Sequence, residues 1–336
     1  SINAGLQLKG EILNAHFDNK QGFIYNEPFG VISCITPWNF PAAMITRKIA
    51  PALITGNTII LKPSELTPIT ALAIGELAIK AGFPAGILNI ICGEPIEISN
   101  TLLNAHEIKK VSFTGSTATG KSLIERSSAT ITKLSLELGG HAPFIVFDDA
   151  DIELAITAAI QSKFRNCGQT CICSNRFYIQ EKIYPVFIEA LLIEIKKLKL
   201  GNGLDNSTHL GPLINEKAII KIENQIRDAL KRGAKLLYGG KKHTHKKFPN
   251  AHFFQPTLLT NCSEDMTVFT DETFGPICAV KSFKAEADVI SQANNSGSMR
   301  PIVSLAGKIS SKIGPTTIPV PPPKPALDRP IRRADK

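Results

Sequence analysis

The chain has 336 residues, 43% of them hydrophobic and 20% charged, with a formal net charge of +9. That length suits two domains of ordinary size and the composition excludes a disordered or fibrous class. No apolar run reaches the ~18 residues of a transmembrane helix, so no membrane is expected as a partner.

The basic excess sits in KIKIENQIRDALKRGAK, GGKKHTHKK and the terminal IRRADK. No stacking aromatics interleave these stretches, which argues against nucleic acid, and a dinucleotide or carboxylate ligand accounts for a mild positive bias equally well. Seven cysteines scattered over a long chain do not suggest a disulfide framework and fit a reducing, cytoplasmic setting.

From Gly30 onward strand-like and helical patterns alternate. VISCIT reads as a strand ended by Pro37, and KIAPALITG as a helix stopped at Gly56. NTIILK is a second strand, ALAIGELAIKAG a helix ending at Gly82, and GILNIICG a third strand. KKVSFTGS runs as a strand into a Ser/Thr/Gly turn, from which GKSLIERSSA starts a helix. After Gly139 and Gly140 the same alternation resumes. HAPFIVF, FYIQ, FFQPTLLTN and ICAVKSF read as strands; DDADIELAITAAIQSKF, VFIEALLIEIKKLKL and KAIIKIENQIRDALKRGAK read as helices. Alternation of this kind predicts an α/β fold with an open parallel sheet in a first unit, 1–138, and a second α/β unit, 139–295. The remainder, 296–336, is rich in Pro, Ser and Lys, and reads as extended polyproline without core-forming periodicity.

Cys171 lies in FRNCGQTCICSNR, a glycine-containing loop between a helix and a strand. Such a place suits either an exposed, activated thiolate or an inert half-buried thiol. Cys167, Cys171 and Cys173 are close together, but no second Cys or His pair at zinc spacing follows, so no metal is expected. Glu137 falls in the apolar run LSLELGG, where burial would raise a carboxylate toward the range of a general base; strand alternation equally allows it to face outward. Asn39 in TPWNFP is flanked by prolines that fix its backbone, which suits either an oxyanion donor or an ordinary turn asparagine. GSTATG follows a strand and opens a helix, an arrangement able to receive a pyrophosphate, although its spacing is not GxGxxG.

PWNFP, KPSELTP, FTGST, LELGG, NCGQTC and ETFGP occur in the order and at about the spacing of the aldehyde dehydrogenase superfamily, from about Gly30 to Phe283. The chain resembles that family. The resemblance implies Cys171 as nucleophile, Glu137 as general base and Asn39 as oxyanion donor. It implies that Trp38, Lys62, Ser64, Glu65, Gly115, Ser116, Glu272 and Phe274 bind the cofactor, with Lys62 and Glu65 on the adenosine ribose. NAD is the expected cofactor and NADP the alternative, because a carboxylate at Glu65 would repel a 2′-phosphate.

SKFRNCGQTCICSNRF and NFPAAMITRKIAPAL resemble the succinate-semialdehyde branch, close to the glutarate-semialdehyde enzymes. There Arg47 and Arg165 match the arginines that hold the substrate's distal carboxylate, a task suited to a planar guanidinium fork. Cys173 matches a position able to form a reversible disulfide with the nucleophile. The expected partner is thus a small aldehyde: succinate semialdehyde, or glutarate semialdehyde or lactaldehyde instead. Family members carry further sequence on both sides of the matched region and form homo-oligomers. Both units are therefore expected to be incomplete, with exposed apolar surface, and an inactive remnant is the competing reading.

Overall fold

The computed structural model describes residues 5, 7–14, 21–295 and 304–306. It opens on an antiparallel hairpin that the sequence reading did not anticipate, β1 (Glu11–Asn14) with β2 (Gln21–Ile24). There follow β3 (Val31–Ile35), α1 (Pro41–Ile54), β4 (Thr58–Lys62), α2 (Pro68–Lys80), β5 (Leu88–Ile90), α3 (Pro95–Asn104), β6 (Ile108–Thr114), α4 (Thr117–Ser127) and β7 (Lys133–Glu137). The five strands from β3 to β7 form one parallel sheet in the order β5-β4-β3-β6-β7.

Helices cover both of its faces, so central strands are apolar on both sides. Neighbouring residues of β3 point to opposite faces. Cys34 packs with Ile45 and Ile49 of α1 and Ala71 of α2, whereas Ile35 packs with Leu102 and Leu103 of α3 and Leu123 of α4. Helix α1 starts at Pro41, seven residues ahead of the expected Lys48, because a proline at the first helical position gives up only an N–H that has no helical partner. On α2, Ile69, Leu77 and Ile79 are 79%, 62% and 76% exposed, an apolar surface on this sheet's outer layer.

The chain passes to a second sheet between Glu137 and Ala142. Its elements are β8 (Ala142–Val146), α5 (Ile152–Phe164), β9 (Ser174–Gln180), α6 (Tyr184–Lys196), α7 (Glu216–Lys231), β10 (Lys235–Tyr238), β11 (Thr257–Thr260), α8 (Thr267–Thr270), β12 (Ile277–Phe283), α9 (Glu286–Asn294) and β13 (Ser304–Ala306). The order is β10-β11-β12-β9-β8-β13, parallel except for β10. Asp151 caps α5 by accepting from the Leu154 amide at 3.0 Å.

The fully buried Arg176 donates to the carbonyls of Gln292 (3.1 Å), Ala293 (2.9 Å) and His141 (2.9 Å), fastening the end of α9 to the entrance of β8. The proline-rich stretch lies outside the described residues apart from β13, which adds a short parallel strand beside β8 where none was expected.

Candidate active site

A cleft of about 350 Å³ lies between the two sheets. The carboxyl ends of β3, β6 and β7 lead into one wall, formed by Pro37, Trp38 and Asn39, by Thr114, Gly115 and Ser116, and by Gly139. The opposite wall comes from segments that enter β9 and β12, carrying Cys171 and Glu272–Phe274, and from the start of α7. Seven of the residues singled out from the sequence therefore share one cavity: Trp38, Asn39, Gly115, Ser116, Cys171, Glu272 and Phe274.

Cys171 is partly exposed. Burial pushes its thiol above the ordinary cysteine range; its own amide opposes this, the charges of Glu272 and Glu137 add to it and Arg47 counters them. The resting group is a thiol, so attack on a carbonyl needs a base. Asn39 donates from Nδ2 to the Gln169 carbonyl at 3.0 Å, two residues before Cys171. Its position thus comes from the Cys171 loop as well as from the flanking prolines.

That loop is strained. Asn166, Cys167 and Gly168 have φ of 49°, 57° and 74°, three consecutive left-handed residues. A side chain at Gly168 would collide with the Gly275 carbonyl, so the loop lies directly against the turn that carries Phe274. Phe274 is itself left-handed, at φ 54°, and packs edge-on against Trp38 with ring centroids 5.6 Å apart.

Of the two readings left open for Glu137, the outward-facing one holds, and the buried carboxylate of the site is Glu272. Glu137 is not buried: its side chain is 46% exposed, because Lys133, Ser135 and Glu137 alternate with the inward Leu134 and Leu136 along β7. Its carboxylate accepts from Arg47 at 3.1 Å and from the Thr114 hydroxyl at 3.2 Å, outside the cleft lining. Glu272 is the carboxylate in the cleft wall. Burial raises its pKa, while the Gly140 amide at 3.1 Å and the charges of Lys221 and Lys163 pull it back. A Cβ at Gly139 would overlap the Glu272 carboxylate, so a side chain there would displace Glu272 from its present place.

The walls could receive a dinucleotide. Ser116 caps α4 by accepting from the Thr119 amide at 3.2 Å, and a side chain on Gly115 would run into the Phe113 ring, so the helix N-terminus opens onto the cleft without a side chain in front of it. Lys62, Ser64 and Glu65 stand at the end of the neighbouring β4 rather than in this lining. Lys62 is buried and pairs with Glu65 at 2.8 Å. Burial alone would lift Glu65, but the hydrogen bond from Lys62, the Glu65 amide and the Lys62 charge together hold it below the usual carboxylate range.

Arg47 sits mid-helix in α1, and Arg165 follows α5 with its guanidinium 5.2 Å from the Phe40 ring centroid. Cys173 is buried, with Sγ donating to the Lys163 carbonyl at 3.4 Å, surroundings unlike those of Cys171 in the cleft. The sequence reading missed Lys217 and Lys221, which line the cleft from α7. Their i, i+4 spacing places them on one helical face, yet in the sequence they look like any solvated basic pair. Among the described residues no cluster of three or more His, Cys, Asp or Glu could hold a metal, and no helix is long and apolar enough to cross a membrane.

The aldehyde dehydrogenase family model matches residues 1–300. The chain is 49% identical over 291 residues to the succinate-semialdehyde dehydrogenase [NADP(+)] of Escherichia coli (strain K12), covering 87% of this chain and 60% of that protein. It is 47% identical over 289 residues to a glutarate-semialdehyde dehydrogenase of Pseudomonas putida, covering 86% and 59%. The crystal structure of succinate-semialdehyde dehydrogenase from Burkholderia pseudomallei superposes with a TM-score of 0.87 at 44% identity, covering 91% of this chain and 63% of that one. The chain thus spans about 60% of the length of these relatives. On its motifs, its fold and these matches, the chain belongs to the aldehyde dehydrogenase family.

Proposed function

We propose that this protein oxidises succinate semialdehyde, or a similar small semialdehyde, to the carboxylic acid, with NAD or NADP as hydride acceptor. The observation that carries this reading is the convergence of Cys171, Asn39 and Glu272 on one cleft that also opens onto the N-terminus of α4. Residues 1–138 would hold the cofactor and 139–295 supply the nucleophile. The names of the relatives support the substrate class.

Glu137 takes the thiol proton of Cys171 and passes it to solvent, Cys171 attacks the aldehyde carbon, and the Asn39 amide with the Cys171 backbone N–H holds the resulting oxyanion. When bound, the nicotinamide supplies the hydride acceptor that leaves a thioester on Cys171. Gly115, Ser116 and Glu272 would hold that cofactor, with Lys62, Ser64 and Glu65 toward its adenosine end and Trp38 and Phe274 beside its ring. Glu65 favours NAD over NADP, by repulsion of a 2′-phosphate. Glu137 takes the proton from the water that hydrolyses the thioester. To reach it, the carboxylate must leave Arg47; an ion pair exposed on both sides is worth ~1 kcal/mol or less, so the exchange is cheap.

Arg165 stacks on Phe40, the chain neighbour of Asn39. Arg165 and Arg47 lie outside the cleft lining in this structure, and the reading assigns them the far carboxylate of a semialdehyde. The cysteines favour a reducing, cytoplasmic setting. Purified chain mixed with succinate semialdehyde and NAD or NADP should show growing absorbance from the reduced cofactor. Folded protein that produces none with any aldehyde would refute the reading.

A further inference from the structure

We propose that Asn166 and Gln169 are positioning residues that hold the Asn39 amide in register with Cys171 and tie that register to the segment leading into α7. This rests on the oxyanion role proposed for Asn39. Asn39 and the nucleophile loop exchange hydrogen bonds across about 130 residues of sequence. The Asn39 side chain donates to the Gln169 carbonyl at 3.0 Å, and the Asn166 side chain donates back to the Asn39 carbonyl at 3.0 Å. Backbone and side chain of Asn39 are thus both fixed by one loop.

Asn166 pays for its place with a left-handed backbone at φ 49°, a conformation that Asn adopts more readily than most residues. Gln169 is 3% exposed and every polar group of its side chain is used. Oε1 accepts from the Ile214 amide at 3.0 Å, and Nε2 donates to the carbonyls of Asn166 at 3.3 Å and Pro212 at 3.4 Å. Ile214 lines the cleft opposite Asn39. One buried amide therefore joins the nucleophile loop to the far wall, while its backbone carbonyl receives the oxyanion donor.

A turn that merely needs left-handed backbone is served as well or better by glycine. Asn166→Gly keeps the turn and removes the Nδ2 donor to the Asn39 carbonyl and, at 3.4 Å, to the Gln169 carbonyl that Asn39 also uses; Asn166→Asp keeps shape and backbone preference, and its ionised carboxylate cannot donate. Selective ¹⁵N-asparagine labelling reads the Asn39 side-chain amide directly, with Asn39→Asp identifying its resonance. In both Asn166 variants that amide should lose its rigid heteronuclear NOE, and kcat should fall at least about ten-fold, within the hundred- to thousand-fold that loss of an oxyanion donor costs. KM for the dinucleotide should stay unchanged. Gln169→Met should lower kcat similarly and also weaken dinucleotide binding by calorimetry, since it frees Ile214.

An Asn39 amide that stays rigid in Asn166→Gly, or an amide that loosens with kcat intact, overturns the proposal. Absence of turnover in the unaltered chain counts against the proposed function instead, and the amide measurement then decides the positioning alone.

Discussion

His141, the residue after Gly139 and Gly140, is fully buried at the entrance of β8. Burial first, then the charges of Arg176 and Lys163, lower its pKa from 6.5 to about 3, with a smaller opposing contribution from the Phe269 backbone. The fold therefore favours neutral imidazole over the protonated form. Because the folded value lies below the unfolded one, stability is intact above pH 6.5, declines as pH falls between 6.5 and about 3, and levels off below that. Each unit of difference is worth about 1.4 kcal/mol, so at pH 5 this group alone costs about 2 kcal/mol.

Replacing it by an apolar residue of similar bulk removes that cost. Urea unfolding of the unaltered chain and of His141→Leu at pH 7 and pH 5 should show the unaltered chain losing about 2 kcal/mol more than the variant. Carboxylates titrate alike in both proteins and cancel in the comparison. Superimposable pH dependences would refute the reasoning and place His141 in contact with solvent or a proton acceptor.

Three further outcomes are expected. Cys171→Ser should abolish dehydrogenase activity with dinucleotide binding intact, whereas Cys167→Ser and Cys173→Ser, both remote from the cleft lining, should keep most of it; a working Cys171 variant would remove the mechanism. Arg165→Ala or Arg47→Ala should lower kcat/KM for succinate semialdehyde by about five-fold relative to butanal, since both guanidiniums are exposed and an exposed charge contact is worth ~1 kcal/mol or less; equal losses on both aldehydes would assign the arginines to structure. Glu65→Gln should shift the NADP-to-NAD ratio of kcat/KM upward, and an unchanged ratio would show that Glu65 exerts no repulsion on the 2′-phosphate.

Short-range features were legible in the sequence. Pro37, Gly56 and Gly82 punctuate the first sheet, and the acidic run before α5 contains its cap. The hairpin β1–β2 escaped because its four-residue strands lack clean alternation, and α3 because PIEISNTLLN mixes polar and apolar residues over only ten positions.

Within the site, the loops could be found by their letters but not their surroundings. Glu137 stands between Leu136 and Leu138 yet faces outward by the strand phase of β7, whereas Glu272, between Asp271 and Thr273, is the one that is buried, so local polarity points the wrong way for both. Asn166 and Gln169 were in view within NCGQTC and its flank, yet their partners lie on a turn some 130 residues earlier and a loop some 45 later. No local pattern encodes such pairings.

The cleft faces the carboxyl edge of one parallel sheet and the amino edge of the other, and the covalent passage between those sheets on the cleft side is Leu138–His141. A pair of glycines in such a crossing is the usual material of a hinge. Here the Glu272 carboxylate fills the space a side chain on Gly139 would need and accepts from the Gly140 amide at 3.1 Å. Closing or opening the cleft by bending at this point would first have to release Glu272. The carboxylate proposed to hold the cofactor is thus also the group that contacts both glycines of the crossing.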